Sequence, residues 1–255
     1  MLHTATAIAG YRLGGRDGEL GRVKGFYFDD RSWEIRYLVA NTRNWLTGIT
    51  VLIAPHALMS VSRSERLVSV DLTREQIERS PALSGQAPVS EQFKAAPFGT
   101  YGSPIRGFVE RDGSVRTPGK GHDPHLRSTD HVRGYHLQAT DGEIGHVDDF
   151  IIDDATWAIR YLVIATHNWR PGKRVLIAPA WIERVSWSKK KVFVGLTSQA
   201  IQQSPEYTAA SLPTREYETG LHGHYDRPGY WVDAAAEKPD AGGNVPPKSG
   251  AEPGR

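Results

Sequence analysis

One phrase occurs twice in this chain of 255 residues, as WEIRYLVANTRNW at residues 33–45 and as WAIRYLVIATHNW at residues 157–169. Shifting the sequence by 124 positions lays residues 10–81 on residues 134–205 without a gap, and about half of the aligned residues are identical. A repeat of this period is the size of a domain and not of a solenoid turn. The fold must therefore be one that about 70 residues can build, and build twice.

Each copy reads as short strands joined by turn chemistry. Asp17-Gly18 and Asp141-Gly142 are tight-turn dipeptides, because glycine takes positive φ at no steric cost. Val23, Phe26 and Phe28, matched by Val147, Phe150 and Ile152, trace a strand whose three-residue step predicts a β-bulge. Asp29-Asp30 and Asp153-Asp154 turn the chain into the next strand, at residues 35–40 in the first copy, which reads as half-buried. Residues 51–53, stopped by Pro55, then Val61 and residues 68–70, bring the count to about five or six strands per copy. Residues 73–79 and 197–203 carry a capping Thr and a Ser-Pro stop, the marks of a short helix.

So many short strands favour a closed or partly open barrel, because closure removes unpaired strand edges. The expected fold class is mainly β, two tandem small β-barrels with short helices. The first barrel is placed at residues 8–81, a Gly/Pro/aromatic linker at 82–131 and the second barrel at 132–207. An aromatic arm and a tail expected to be disordered fill residues 208–255, where Tyr217, Tyr225 and Pro228 fall on Phe93, Tyr101 and Pro104 at the same shift.

The ordered set Asp-Gly-x-x-Gly-x-Val, a strand ending in Asp, Tyr-Leu-Val, Val-Leu-Ile-Ala-Pro and Val-x-Val-x-Leu-Thr occurs in both copies. It resembles the PRC-barrel family, the β-barrel module of the photosynthetic reaction centre H subunit and of the C-terminal part of a ribosome maturation factor. The resemblance covers somewhat over half of the chain. The second copy ends Ser204-Pro205-Glu206-Tyr207 as that family does, whereas the first ends Ser80-Pro81-Ala82. The resemblance implies a non-catalytic interaction scaffold. The membrane helix of the H subunit and the N-terminal domain of the maturation factor have no counterpart here, so neither role carries over directly.

Composition narrows the chemistry. The chain has no cysteine, which removes disulfides, thiolate catalysis and Cys-type zinc sites and fits a reducing compartment. A net charge of +2 is too balanced to mark a nucleic-acid binder by itself. The opening MLHTATAIAGYRLGG has no basic segment before an apolar run, and no run reaches the roughly 18 apolar residues of a membrane span. A cytoplasmic bacterial protein without a transmembrane segment is expected.

No G-x-S-x-G elbow, phosphate-cradling loop or H-E-x-x-H occurs, so no enzyme is expected and no catalytic residue, cofactor or metal is assigned. The carboxylates Asp141, Glu143, Asp148, Asp149, Asp153 and Asp154 read as turn chemistry rather than a cation site, since copy one has Lys24 and Gly25 at the middle pair. His122, His125, His131, His136 and His146, like His222 and His224, match no zinc spacing. The candidate partner-binding set is the basic, Trp-bearing half of copy two: Trp169, Arg170, Lys173, Arg174, Trp181, Arg184, Trp187, Lys189, Lys190 and Lys191. Cations interleaved with aromatics suit an acidic protein patch, an anionic surface, or a phosphate backbone with stacked bases. A core-packed Trp with solvated edge lysines is the competing reading. The expected function is a protein-interaction scaffold. RNA or ribosome binding, an accessory role at the cytoplasmic face of a membrane complex, and self-association are the alternatives.

Overall fold

The computed structural model describes residues 1–42, 50–78, 108–109, 115–116, 125–166, 173–208 and 212–232. The first copy runs β1 (Leu2–Thr4), α1 (Ala5–Ile8), β2 (Arg12–Gly15), β3 (Gly18–Asp29), β4 (Ile35–Asn41), β5 (Thr50–Ile53), β6 (Leu58–Ser62), β7 (Leu67–Val70) and α2 (Arg74–Glu78). A two-residue hairpin follows, β8 (Phe108–Val109) with β9 (Val115–Arg116). The second copy repeats the series as β10 (Leu126–Ser128), α3 (Thr129–Val132), β11 (His136–Gln138), β12 (Glu143–Asp153), β13 (Ala158–Thr166), β14 (Arg174–Ile177), β15 (Ile182–Ser186), β16 (Lys191–Val194) and α4 (Ser198–Gln203). Both copies belong to one compact unit, residues 1–213, and α5 (Arg215–His224) to a second, residues 214–255.

The chain is mainly β, with two seven-stranded mixed sheets. One follows the order β5-β4-β3-β2-β7-β6, and the other β14-β13-β12-β11-β16-β15. All neighbours are antiparallel except β2 with β7 and β11 with β16. The expected bulge appears as a register shift between Val23 and Gly25, and again between Val147 and Asp149. It bends the long strands β3 and β12, as an extra residue in one strand of a pair must. Gly21 and Gly145 fall just before the bulge, where a Cβ would collide with the carbonyl of Asn41 or Ala165 on the neighbouring strand.

Among the described residues the sheets do not close into barrels. The end strands β5 and β6 are successive in the chain, and the single-turn helix Pro55–Ala57 carries one directly into the other. Pro55 brings no N–H to a ladder and fixes φ, so this corner bends the sheet without pairing its ends. Pro179–Trp181 makes the same corner between β14 and β15. The inner face of each sheet is apolar: Leu13, Val23, Phe26, Leu38, Ile53 and Val68 in copy one match Leu137, Val147, Phe150, Leu162, Ile177 and Val192 in copy two, all buried. The strand expected to be half-buried, β4, is covered on both faces, with Ile35, Tyr37, Leu38, Val39 and Ala40 buried.

The seventh strand of each sheet comes from the other copy. β1 pairs with β12, Leu2 opposite Asp153, and β10 pairs with β3, Leu126 opposite Asp29. Leu2 and Leu126 are equivalent positions, so the exchange is reciprocal. The modules therefore begin before residues 8 and 132. Near the centre of the junction Ile35 N donates to the Trp157 carbonyl and Ile159 N to the Trp33 carbonyl, each at 2.7 Å. Trp33 and Trp157 hold φ of 56° and 57° to present those carbonyls, a region costly for a residue with a Cβ. Both indoles are buried, Trp33 stacked on Phe28 at 5.2 Å and Trp157 reaching Phe26 of the other module at 6.3 Å.

Candidate interaction site at the module junction

Each Asp-Asp turn divides its labour. The first carboxylate builds its own turn: Asp29 accepts from Arg31 N at 2.9 Å, Ser32 N at 3.3 Å and Arg36 Nη2 at 3.3 Å, and Asp153 is held alike by Ala155, Thr156 and Arg160. Burial pushes both carboxyls up, but these donors outweigh it and hold them below the ordinary value. The second carboxylate locks the exchanged strand of the sibling. Asp30 accepts from His125 Nδ1 at 2.8 Å and Arg127 Nη2 at 2.9 Å, and Asp154 from His3 Nε2 at 2.9 Å.

Arg127 then extends the junction into a surface feature. It lies on β10, which belongs to module two in sequence but pairs with β3 of module one. Its guanidinium carbon is 4.3 Å from the centre of the Trp187 ring, at the head of the β15–β16 turn. Trp187 in turn meets Tyr135 at 6.0 Å, and His131 meets the Tyr135 ring edge-on at 5.9 Å. Among the described residues the Arg127 Nε is buried without a partner. Lys189 and Lys190 are exposed on the same turn, and among the described residues neither has a carboxylate partner. Lys190 takes φ of 51°, where its carbonyl accepts from His136 N at 2.9 Å. The corner thus joins Asp30 of module one to Arg127, Tyr135, Trp187, Lys189 and Lys190 of module two. The equivalent positions His3, Tyr11 and Arg63 in the other corner lack the indole.

The remaining basic candidates that are described have structural partners of their own. Trp169 and Arg170 lie outside the described residues. Lys173 Nζ donates to the carbonyls of Gln202 at 2.6 Å and Ser204 at 2.9 Å, satisfying groups that α4 leaves open at its C-terminal end. Arg174 Nε donates to Asp148 at 2.7 Å, and its carbonyl accepts from Tyr207 N at 2.8 Å. Trp181 is buried in the β14–β15 corner. Arg184 stacks over Phe193 at 3.4 Å, and Lys191 bridges Gln138 at 3.3 Å and Glu143 at 3.2 Å.

The acidic and histidine sets are likewise distributed. Asp141 accepts from Ser198 N at 2.7 Å and Ser198 Oγ at 2.8 Å, capping α4, and these bonds hold its carboxyl below the ordinary value. Asp149 is buried, and burial pushes its carboxyl up although Thr6 and Phe150 N donate to it. His136 bonds Glu143 at 2.9 Å, while His122 lies outside the described residues. Among the described residues no group of His, Asp and Glu is arranged to hold a metal ion. No described helix is long and apolar enough to cross a membrane.

The arm at residues 214–232 is structured by its own contacts. Thr214 caps α5 by accepting from Tyr217 N at 3.3 Å. Buried Glu218 accepts from Tyr230 Oη at 2.9 Å and pairs with Arg215 at 3.1 Å, and Arg215 lies 4.2 Å from the Trp231 ring centre. Burial and the Glu218 carboxylate push the Tyr230 phenol up to about 12. His222 Nδ1 donates to the Pro228 carbonyl at 2.8 Å, and burial lowers its pKa. The tail beyond residue 232 lies outside the described residues.

Sequence reasoning singled out Trp187, Lys189 and Lys190 but missed Arg127, Asp30 and Tyr135. The available signal was faint: Leu2 and Leu126 match, and Thr4 matches Ser128, the second of each pair inside the stretch read as a Gly/Pro/aromatic linker. No model of a known protein family matches the chain, and no curated protein matches it.

Proposed function

We propose that this chain is a tandem PRC-barrel-type scaffold that binds protein without catalysing a reaction, and that its docking point is the Arg127–Trp187 corner. The observation that carries the reading is the composition of that corner. A guanidinium stacked on the indole of the β15–β16 turn is held by Asp30 of the other module, and the same turn carries Lys189 and Lys190, which among the described residues have no carboxylate partner. The exposed Lys189 and Lys190 ammonium groups suit a carboxylate-bearing segment, and the Arg127–Trp187 stack holds the corner in place beneath them. The two-copy architecture, with its bulged long strands and Pro-containing corners, supports the family reading. The distribution of Asp, Glu and His among caps and strand locks supports a non-catalytic role.

Affinity capture from native cells at low and high salt, with wild type beside W187A and K189E/K190E, tests this. A protein partner retained by wild type and lost by both variants is the expected result. Capture of RNA or ribosomal components, with steep salt dependence, would replace the reading with nucleic-acid binding. Partners retained unchanged by both variants would move the docking point elsewhere.

A further inference from the structure

Among the described residues the backbone contacts that join the modules come in equivalent pairs about one central bridge. Leu2 faces Asp153 as Leu126 faces Asp29, and the Ile35–Trp157 hydrogen bond is mirrored by Ile159–Trp33. Between those two bonds lies an isolated bridge of Glu34 with Ala158. Residues 34 and 158 are equivalent positions, so the bridge sits where a twofold axis would pass. A surface of this kind is isologous, the geometry of a closed dimer. Much of it is backbone hydrogen bonding, which does not read side chains. Nothing in the paired strands identifies the sibling as part of the same chain. Only the covalent connection, residues 79–125, biases the choice, by an effective concentration on the order of a millimolar or below for a tether of that length.

We propose that the junction is also a docking surface for a second copy of this chain. Module one of each chain pairs with module two of the other, giving a closed, exchanged dimer. Each pair in the dimer reproduces the contacts of the monomer, and each rebuilds one Arg127–Trp187 corner, so the dimer presents two. This inference does not depend on what that corner binds. Interconversion requires β1 and β10 to leave their sheets together. The choice is therefore made while the chain folds and is then held.

The absence of cysteine makes a direct test practical. Glu34 and Ala158 form a non-hydrogen-bonded antiparallel pair, in which Cα atoms lie about 4.5 Å apart, within the reach of a disulfide. Full-length E34C/A158C is refolded at about 1 mM and at about 1 µM, concentrations on either side of the tether's effective value. Both samples are then diluted alike, oxidised and run on a non-reducing gel, with E34C alone as control. Exchange predicts at least about tenfold more covalent dimer from the concentrated sample, and no covalent dimer from E34C. Intrachain product alone at both concentrations would overturn the proposal. So would equal dimer from E34C, which would show that collision produced the bond.

Discussion

Thr6 donates both its backbone N–H and its hydroxyl to Asp149, joining α1 of one module to the bulge of β12 in the other. At the equivalent place in the other half the roles are reversed. Asp130 on α3 stands where Thr6 stands, and Gly25 stands where Asp149 stands, so a Cβ on Gly25 would lie 3.2 Å from the Asp130 carboxylate. Each junction thus holds one carboxylate near the first turn of a short helix, supplied from opposite sides. An acidic group is favoured there because it complements the helix's unpaired N–H groups.

Asp149 predicts a pH signature. Its folded-state pKa is raised, by burial first, above the ordinary 3.8. The stability it contributes is fully present below 3.8 and lost as pH rises through the folded value. Melting curves of wild type and Asp149→Asn at steps from about pH 4 to 8 should therefore diverge with pH, wild type losing relative stability on the way up. Parallel curves would show that the buried carboxylate is not charged at a cost.

Asp29 and Asp153 carry the opposite sign. Their folded values lie below 3.8, so their stabilising contribution is present above 3.8 and lost as pH falls through the folded value. Asp153→Asn should cost about 1.5–3 kcal/mol near neutrality, the range for hydrogen bonds to a charged group, and progressively less below pH 3.8. Urea unfolding midpoints of the pair at both pH values measure this.

Asp30 locks β10 through Arg127 and His125, and its side chain is 6% exposed. Asp30→Ala leaves a guanidinium facing the junction without its anion and should cost about 3 kcal/mol. Hydrogen exchange gives the sharper readout: protection should fall first at Tyr27, Phe28 and the β10 amides, and not in β14. Uniform loss across the unit would mean that the modules unfold together.

Gly145 has no room for a side chain, because a Cβ there meets the Ala165 carbonyl of the adjacent strand. Backbone cannot yield as a flexible side chain can, so Gly145→Ala should cost about 1–3 kcal/mol. That corresponds to about 2–4 °C per kcal/mol in melting temperature for a unit of this size. An unchanged melting temperature would mean that β12 and β13 can separate at the bulge.

Much of the module was legible from one chain. The repeat exposed its own tolerance, so Asp-Gly turns, the bulge step at Phe26 and Phe150, and the short helix closing each copy could be placed from local chemistry, whereas α1 and α3 could not. The arm was harder: the Gly and Pro of YETGLHGHYDRPGYW favour disorder and its rings favour packing, and the structure buries Glu218 and His222, which bond Tyr230 and the Pro228 carbonyl. Its order rests on contacts between α5 and residues 228–231, which no period in the sequence marks.

Nearness in sequence is a weak guide to nearness in space on a strand, and the basic candidates described outside the β15–β16 turn have separate partners. Successive residues of a strand point to opposite faces, so neighbours in sequence part company. Arg174 went to Asp148, Lys173 to the end of α4, and Trp181 into the core.

By itself, the sequence determined that one β module is built twice and where its Asp-Gly turns, its bulge and its closing helix fall, because these depend on φ preferences and side-chain period over a few residues. Only the tertiary structure decided that each module lends its first strand to the other and that Asp30, Arg127 and Trp187 meet. Strand exchange is written mainly in backbone hydrogen bonds between segments about 100–150 residues apart, and a backbone donor has the same chemistry wherever it occurs.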